Sequence, residues 1–375
     1  MGAGGRMHTT AREPAMTRVP TAKPPFSVGD LKKALPPHCF KRSLLRSGSY
    51  LVTDLVIVSA LFYAFTYIQN VGGALGWLLR GAYWIAQGCV ATGVWVIAHE
   101  CGHHAFSDYE WVDDLVGFIF HSCLLVPYFS WKYSHRRHHS NTASIERDEV
   151  FVPTGKESVK ASTWFTQNRP GRILSIAVTL TMGWPSYLLF NVSGRKYDRP
   201  ANHFNPNAPI FNSRERQFIF ISDLGLLTFG YLLYRLGQAF GFLWLLNVYG
   251  IPLLIVNGFL VLITFLQHTH SSLPHYDAKE WDWLRGALST VDRDYGFLNH
   301  VLHHITDTHV AHHIFSTMPH YHAQEVTKLL KPILGDYYHV DGTPVLKALW
   351  REMKECIYVE ADPNKKGVYW YKNKL

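Results

Sequence analysis

The chain has 375 residues, 47% of them hydrophobic, 14% aromatic and only 17% charged, with a formal net charge of +8. Soluble proteins carry roughly 25% charged residues, and here the few charges crowd between long uncharged stretches, which excludes an ordinary soluble globular domain. No Lys/Arg stripe rises above the basic flanks of those stretches, so nucleic-acid binding is excluded as the source of the charge.

Residues 1–26 lack an apolar core and read as a disordered tail without a cleavable signal peptide. They contain no serine, unlike a transit peptide, and Arg6 stands where a myristoylation signal needs Ser or Thr. A cytosolic N-terminal segment over 1–46 then leads into a membrane domain over 47–375. The apolar stretches Tyr50–Ile68, Gly81–Ile97, Ile219–Tyr234 and Leu243–Leu266 each approach the roughly 20 residues needed to cross a bilayer. Two further stretches, Leu115–Phe129 and Ile173–Phe190, are interrupted by Pro127 and by Gly183 with Pro185.

Lys32, Lys33, Lys41, Arg42 and Arg46 precede the first span; Lys132, Arg136 and Arg137 follow the second; Arg195, Lys196 and Arg199 precede the third. The turns over 69–76 and 237–242 contain no Lys or Arg. By the positive-inside rule both termini face the cytosol. Five scattered cysteines, an odd number, fit reduced thiols without a disulfide framework.

Nine of the 22 histidines fall in three clusters: His99, His103 and His104; His135, His138 and His139; His309, His312 and His313. On a helix, residues three and four apart share a face, so each cluster can present imidazoles to a metal. A single mononuclear site needs only three or four ligands, so nine point to a polynuclear site. Clusters that build one site lie on one side of the membrane, so an even number of crossings separates them. That parity selects four spans and assigns Leu115–Phe129 and Ile173–Phe190 to the interface. The expected fold is an all-α integral membrane protein: four transmembrane helices in two hairpins, interfacial helices, and a cytosolic histidine-rich cap over 98–218 and 267–375.

Two other classes compete. His99-Glu100-Cys101-Gly102-His103 satisfies HExxH, in which two histidines bind zinc and the glutamate is the general base. A zinc protease needs one further ligand, which leaves six histidines idle; metal identity decides between the two. A metal transporter or haem protein would place ionisable groups near the bilayer midplane. Asp54 and Arg80 lie close to span ends, where snorkelling suffices.

The stretches WVIAHECGHHAFSDY (95–109), LVPYFSWKYSHRRHHSNTASIERDEVFVP (125–153) and ITDTHVAHHIFSTMPHYH (305–322) closely resemble the membrane fatty-acid desaturase superfamily. Within it, they resemble the plant microsomal oleate (Δ12) desaturases, over nearly the whole chain from Pro24 to Leu375. The resemblance implies two iron ions held by the nine clustered histidines, O2 as oxidant, and removal of two hydrogens from an acyl chain of phosphatidylcholine. It also implies electrons from cytochrome b5 and its NADH-dependent reductase, as separate proteins, and oligomers with itself or other desaturases. In distant relatives one more histidine follows the last span, which points to His268 ahead of His270. Glu100, Asp148 and Asp307 are expected to support ligands from behind.

In such a family, residues beside the clusters steer the outcome, and Ala98, Thr142, Ser316 and Met318 look like the plain desaturating type. Hydroxylase, epoxygenase, acetylenase and conjugase outcomes are the alternatives. The sequence departs from the family pattern at His300, His304 and Ala143, and it lacks a proline-rich turn over 68–86. His300 and His304 are expected at the surface. The terminus Tyr371–Leu375 fits an aromatic retrieval signal of the endoplasmic reticulum, consistent with a multi-pass protein of that membrane.

Overall fold

A computed structural model describes residues 18–159 and 168–373; most of the N-terminal tail and the last two residues of the expected retrieval signal lie outside them. Helix α1 (Leu44–Ile68) begins at Ser43, whose hydroxyl accepts from the Arg46 amide at 3.3 Å and satisfies a free helix-end donor. Gly73, at φ 64°, turns the chain into α2 (Gly73–Gly102). Arg80 closes that turn by donating to the carbonyls of Gln69 and Val71 at 2.8 and 3.2 Å.

At 30 residues α2 is about 45 Å long, well beyond the ~30 Å hydrocarbon core. Its C-terminal turns therefore project beyond a span and carry the first histidine cluster with them. Val94–Cys101 is buried throughout.

Helices α3 (Glu110–Cys123) and α4 (Tyr128–Asn141) meet at a bend of 109°. Pro127 starts α4 because it supplies no amide to a preceding turn. The second interrupted stretch is different. Helix α5 (Arg169–Phe190) runs unbroken through Gly183 and Pro185, which corrects the reading of those residues as breaks. Gly183 serves packing instead: a Cβ there would lie 3.1 Å from Val261 of the neighbouring helix.

Helix α6 (Arg216–Phe240) and α7 (Phe242–His268) form a hairpin about Gly241, at φ 94°. A π-turn over Leu246–Gly250 lies just ahead of Pro252 in α7. Among the described residues five helices, α1, α2, α5, α6 and α7, are long and apolar enough to cross a membrane.

The rest of the chain caps one end of this bundle. It contains β1 (His275–Tyr276), β2 (Asp292–Arg293), α8 (His309–Ile314), α9 (His320–Leu334), β3 (Val340–Asp341), α10 (Val345–Glu355), β4 (Tyr358–Ala361) and β5 (Val368–Lys372). Strand β5 lies between β1 and β4, antiparallel to both, with His275 opposite Tyr369 and Glu360 opposite Trp370. A parallel pair sets Asp292 opposite Val340. The fold is thus mostly helical with two small sheets rather than all-α.

The principal core joins Trp95 and Val96 of α2, Trp184 and Leu188 of α5 and Val256, Leu260 and Leu266 of α7. A second core seats Leu31, Leu35 and Cys39 of the N-terminal segment against Val310, Ala311 and Ile314 of α8. Both cores end at the histidines.

Candidate metal centre

Each cluster sits on or at the end of a helix. His99 and His103 occupy the last turn and C-cap of α2, His135, His138 and His139 the second half of α4, and His309, His312 and His313 make up half of α8. The i, i+3, i+4 spacing puts each set on one face. The three faces converge.

One group comprises His99, His103, His135, His139 and His312, and an adjoining one His138, His268 and His313, with the ligand nitrogens of each group within 4.8 Å of one another. In the first, His99 Nε2 lies 2.9 Å from His135 Nε2 and 3.3 Å from His103 Nε2, and His139 Nε2 lies 3.1 Å from His135 Nε2. In the second, His268 Nε2 lies 3.2 Å from His138 Nε2, and His309, at its edge, brings Nε2 to 3.1 Å from His268 Nε2. The groups touch through the His139 and His313 rings, stacked 4.1 Å apart.

These spacings test the site for a metal. Two nitrogens bonded at about 2.1 Å to one ion stand about 3.0 Å apart at right angles and about 3.4 Å apart tetrahedrally. The observed nitrogens meet at that separation. In addition, His312 Nε2 and His313 Nε2 are buried without a hydrogen-bond partner, an arrangement costly unless something accepts their lone pairs or protons. Burial, reinforced by neighbouring imidazoles, pushes His309 down to about 3 and His312 and His313 well below their ordinary value. The imidazoles are neutral at physiological pH, as metal ligands must be.

Surrounding residues hold the rings. Asp148, 1% exposed, meets His138 Nδ1 at 2.7 Å. Glu100 lies behind the first group, 3.2 Å from His99 Nδ1 and 3.9 Å from His312 Nδ1. Trp131 stacks on His135 at 4.6 Å, and it reaches that position because residue 102 is glycine: a Cβ there would lie 2.6 Å from the Trp131 ring. Thr142 donates to the His138 carbonyl at 2.8 Å and lies 3.3 Å from His313 Nδ1. Met318 lines a small cavity with Glu100 and His312, Ala98 is buried in α2, and Ser316 is half-buried.

Three placements differ from the sequence reading. His104 joins neither group: α2 ends at Gly102, His104 takes a left-handed φ of 55°, and its Nδ1 lies 2.8 Å from Asp113. Asp307 meets His304 Nδ1 at 3.1 Å rather than a clustered histidine. Asp54 does not snorkel; it is buried and pairs with His303 Nε2 at 2.7 Å. His300 is exposed and His304 half-buried, and His270 turns away from the centre to His339. The Asp54–His303 and His104–Asp113 pairs carry no local sequence signal, apart from the oddity of an acid inside an apolar helix.

A model of the fatty acid desaturase family matches residues 75–343, and a domain of unknown function matches residues 6–63. The chain is 64% identical over 384 residues to the Delta(12) fatty acid desaturase of Calendula officinalis, covering both chains completely. It is 64% identical over 383 residues to the Delta(12)-fatty-acid desaturase of Arabidopsis thaliana, again covering both completely. It is 62% identical over 383 residues to a Glycine max protein named omega-6 fatty acid desaturase, endoplasmic reticulum isozyme 2, also end to end.

Proposed function

The chain belongs to the fatty acid desaturase family, and from that premise we propose that it inserts a cis double bond at Δ12 of oleoyl chains on phosphatidylcholine. The product is linoleoyl lipid. One observation carries the reading: seven histidines of the three clusters and His268 form two adjoining all-imidazole groups, with His309 beside His268 at 3.1 Å, at the end of an apolar helical bundle. The full-length relatives named for Δ12 or omega-6 desaturation supply the position of the double bond.

We assign the resident cofactor as two iron ions, one held by His99, His103, His135, His139 and His312, the other by His138, His268, His309 and His313. When bound, iron supplies the reduction of O2: two electrons, two protons and the two hydrogens of one –CH2–CH2– unit yield –CH=CH– and two waters. The protein's own contributions are positioning and exclusion. Asp148 holds the His138 ring by its Nδ1, as a carboxylate behind a metal ligand does. Trp131 and Phe151 cover His135 and His268 with aromatic faces at 4.6 and 5.8 Å.

Phe151 also lines a cavity of about 390 Å³ with Val178, Met182, Trp184, Val261 and Phe265. Its size and apolar walls suit part of an acyl chain, and its place beside His268 brings that chain to the second group.

We further propose four full crossings, α1, α2, α6 and α7, in the endoplasmic reticulum membrane, with both termini and the centre in the cytosol. Helix α5 is long enough to cross, but cap and cluster elements hold both its ends. Arg172 in its first turns stacks on Trp350 of α10 at 4.6 Å, and Tyr187 near its end donates to Ser134 of α4 at 3.4 Å. Cytochrome b5, reduced by its NADH-dependent reductase, fits as electron donor to a basic cytosolic face.

Expression in yeast followed by gas chromatography of the fatty acids tests the function. New 18:2 at the expense of 18:1 is expected. Protein present in the membrane with no new 18:2 overturns the reading; hydroxy, epoxy, acetylenic or conjugated products in its place reassign the outcome.

A further inference from the structure

Outside the histidine centre, four side chains of mixed type meet at the surface of the cap. His38 and Cys39 lie in a short turn, Pro37–Phe40, while His322 and Glu325 lie three residues apart in the first turns of α9. Ligand atoms from all four fall within 4.8 Å of one another. His38 Nε2 is 3.0 Å from both Glu325 carboxylate oxygens, Cys39 Sγ is 3.6 Å from His38 Nε2, and His322 Nδ1 is 3.8 Å from Glu325 Oε2.

We propose that this set binds one zinc ion, separate from the histidine centre. Zinc bonds of about 2.3 Å to sulfur and about 2.0–2.1 Å to nitrogen or oxygen place tetrahedral S–N neighbours about 3.6 Å apart and N–O neighbours about 3.3 Å apart. The three pairs above, at 3.0, 3.6 and 3.8 Å, stand close to those separations already, and the remaining pairs lie within 4.8 Å. One thiolate, two imidazoles and a carboxylate form a donor set that selects zinc over magnesium or calcium, whose ligands are oxygens. Binding is coupled to loss of the Cys39 thiol proton to solvent. The ion has a way in, because the His38 and Glu325 side chains are 53% and 44% exposed, while Cys39 is buried beneath them.

The site ties together two parts of the chain that frame the third cluster. The turn over 37–40 belongs to the segment whose Leu31, Leu35 and Cys39 pack on Val310, Ala311, Ile314 and Phe315, the back of the helix carrying His309, His312 and His313. Phe40 meets Phe315 edge-on at 5.3 Å. Zinc across Cys39 and His322 clamps that segment to α9 and so braces α8 from behind.

Cobalt(II) tests this on the full-length, iron-loaded protein in detergent micelles. The histidine groups contain no cysteine, so a near-ultraviolet thiolate-to-cobalt charge-transfer band reports the outer site alone. The expected result is a band saturating at one equivalent per chain, displaced by zinc, with iron content unchanged. Cys39→Ser loses it, and so does the double variant His322→Asn with Glu325→Gln. Zinc raises the melting temperature of the wild type but not of that double variant, whose part-exposed positions leave the fold intact. Absence of the band, its persistence in Cys39→Ser, or undiminished cobalt binding in the double variant overturns the proposal and leaves a His38–Glu325 ion pair only.

Discussion

Asp148→Asn asks whether the carboxylate behind His138 governs metal binding. Asp148 accepts from three donors at once: His138 Nδ1 at 2.7 Å, the Val150 amide at 3.0 Å and the Ala143 amide at 3.2 Å. Asparagine offers one acceptor oxygen and one NH2, so at least one of the three N–H groups is left facing another donor. A buried donor without a partner costs about 1–3 kcal/mol. Loss of a carboxylate behind a ligating histidine typically costs about 10–100-fold in metal affinity, equivalent to about 1.4–2.7 kcal/mol. The two routes arrive at the same size.

Iron retained against a competing chelator should therefore fall about 10–100-fold, and 18:2 made in yeast should fall with it, while membrane insertion is unchanged. Asp307→Asn is the control. Its carboxylate meets His304 and Gln324, and the variant should keep nearly all iron and activity. Wild-type iron retention and 18:2 in Asp148→Asn would refute the argument, as would equal losses in the two variants.

His103→Ala and His138→Ala should abolish 18:2 formation with insertion intact, whereas His104→Ala, which loses only the contact to Asp113, should retain iron and measurable product; equal loss in all three would return His104 to the ligand set. Gly102→Ala forces a methyl into the space of the Trp131 ring, and overpacking of this kind costs about 1–3 kcal/mol; a lowered melting temperature and reduced iron retention are expected, and an unchanged protein would show that the indole moves freely. His203, wholly buried beside Ser134, is held down to about 4 by desolvation, while the unfolded chain protonates near its ordinary value of about 6.5. Its neutral form therefore stabilises the fold above about pH 6.5, and that stability is lost as pH falls toward about 4, at up to about 1.4 kcal/mol per unit. Thermal unfolding at pH 7 and pH 5 should show a smaller pH effect in His203→Gln than in wild type, and equal shifts would count against it.

How far the centre could be read from the chain depends on the range of the contacts. The ligand spacing is local: helical periodicity alone puts His135, His138 and His139 on one face, and α4 is the helix that does so. His268 entered through the family resemblance rather than through spacing, and in the structure it is the last residue of α7, 3.2 Å from His138. The placement of His104 was not legible, because the decisive event is where α2 stops. At Gly102 the helix gives way, and one residue past His103 the backbone enters a left-handed turn that aims the ring at Asp113. The small sheets were equally invisible: β1, β2 and β3 are two residues each, too short for any alternation to register. Ala143 shows the converse. Noted only as a departure from a usual glycine, it sits at φ 61°, the left-handed region that glycine enters freely and alanine does not.

The carboxylates divide on the same physics. Asp148 lies nine residues past His139 and Asp307 only two before His309, so nearness along the chain alone favours Asp307. What separates them is closure of the loop after α4. Ser144 pairs with Tyr276 of β1, the Tyr276 amide bonds the Ala143 carbonyl at 2.9 Å, and Trp281 donates to the Thr142 carbonyl at 2.9 Å. Those contacts, made to residues more than a hundred positions away, fold 142–148 back over α4 and deliver Asp148 to His138. Asp307 precedes a helix start on the outer side, where His304 and Gln324 are nearer than any clustered imidazole. The Asp54–His303 pair has the same origin: 249 residues apart, its partners meet only once α1, α2 and the cap have assembled. A ligand face can be written into one turn of helix, but the group that orients a ligand is supplied by whatever the tertiary fold brings behind it.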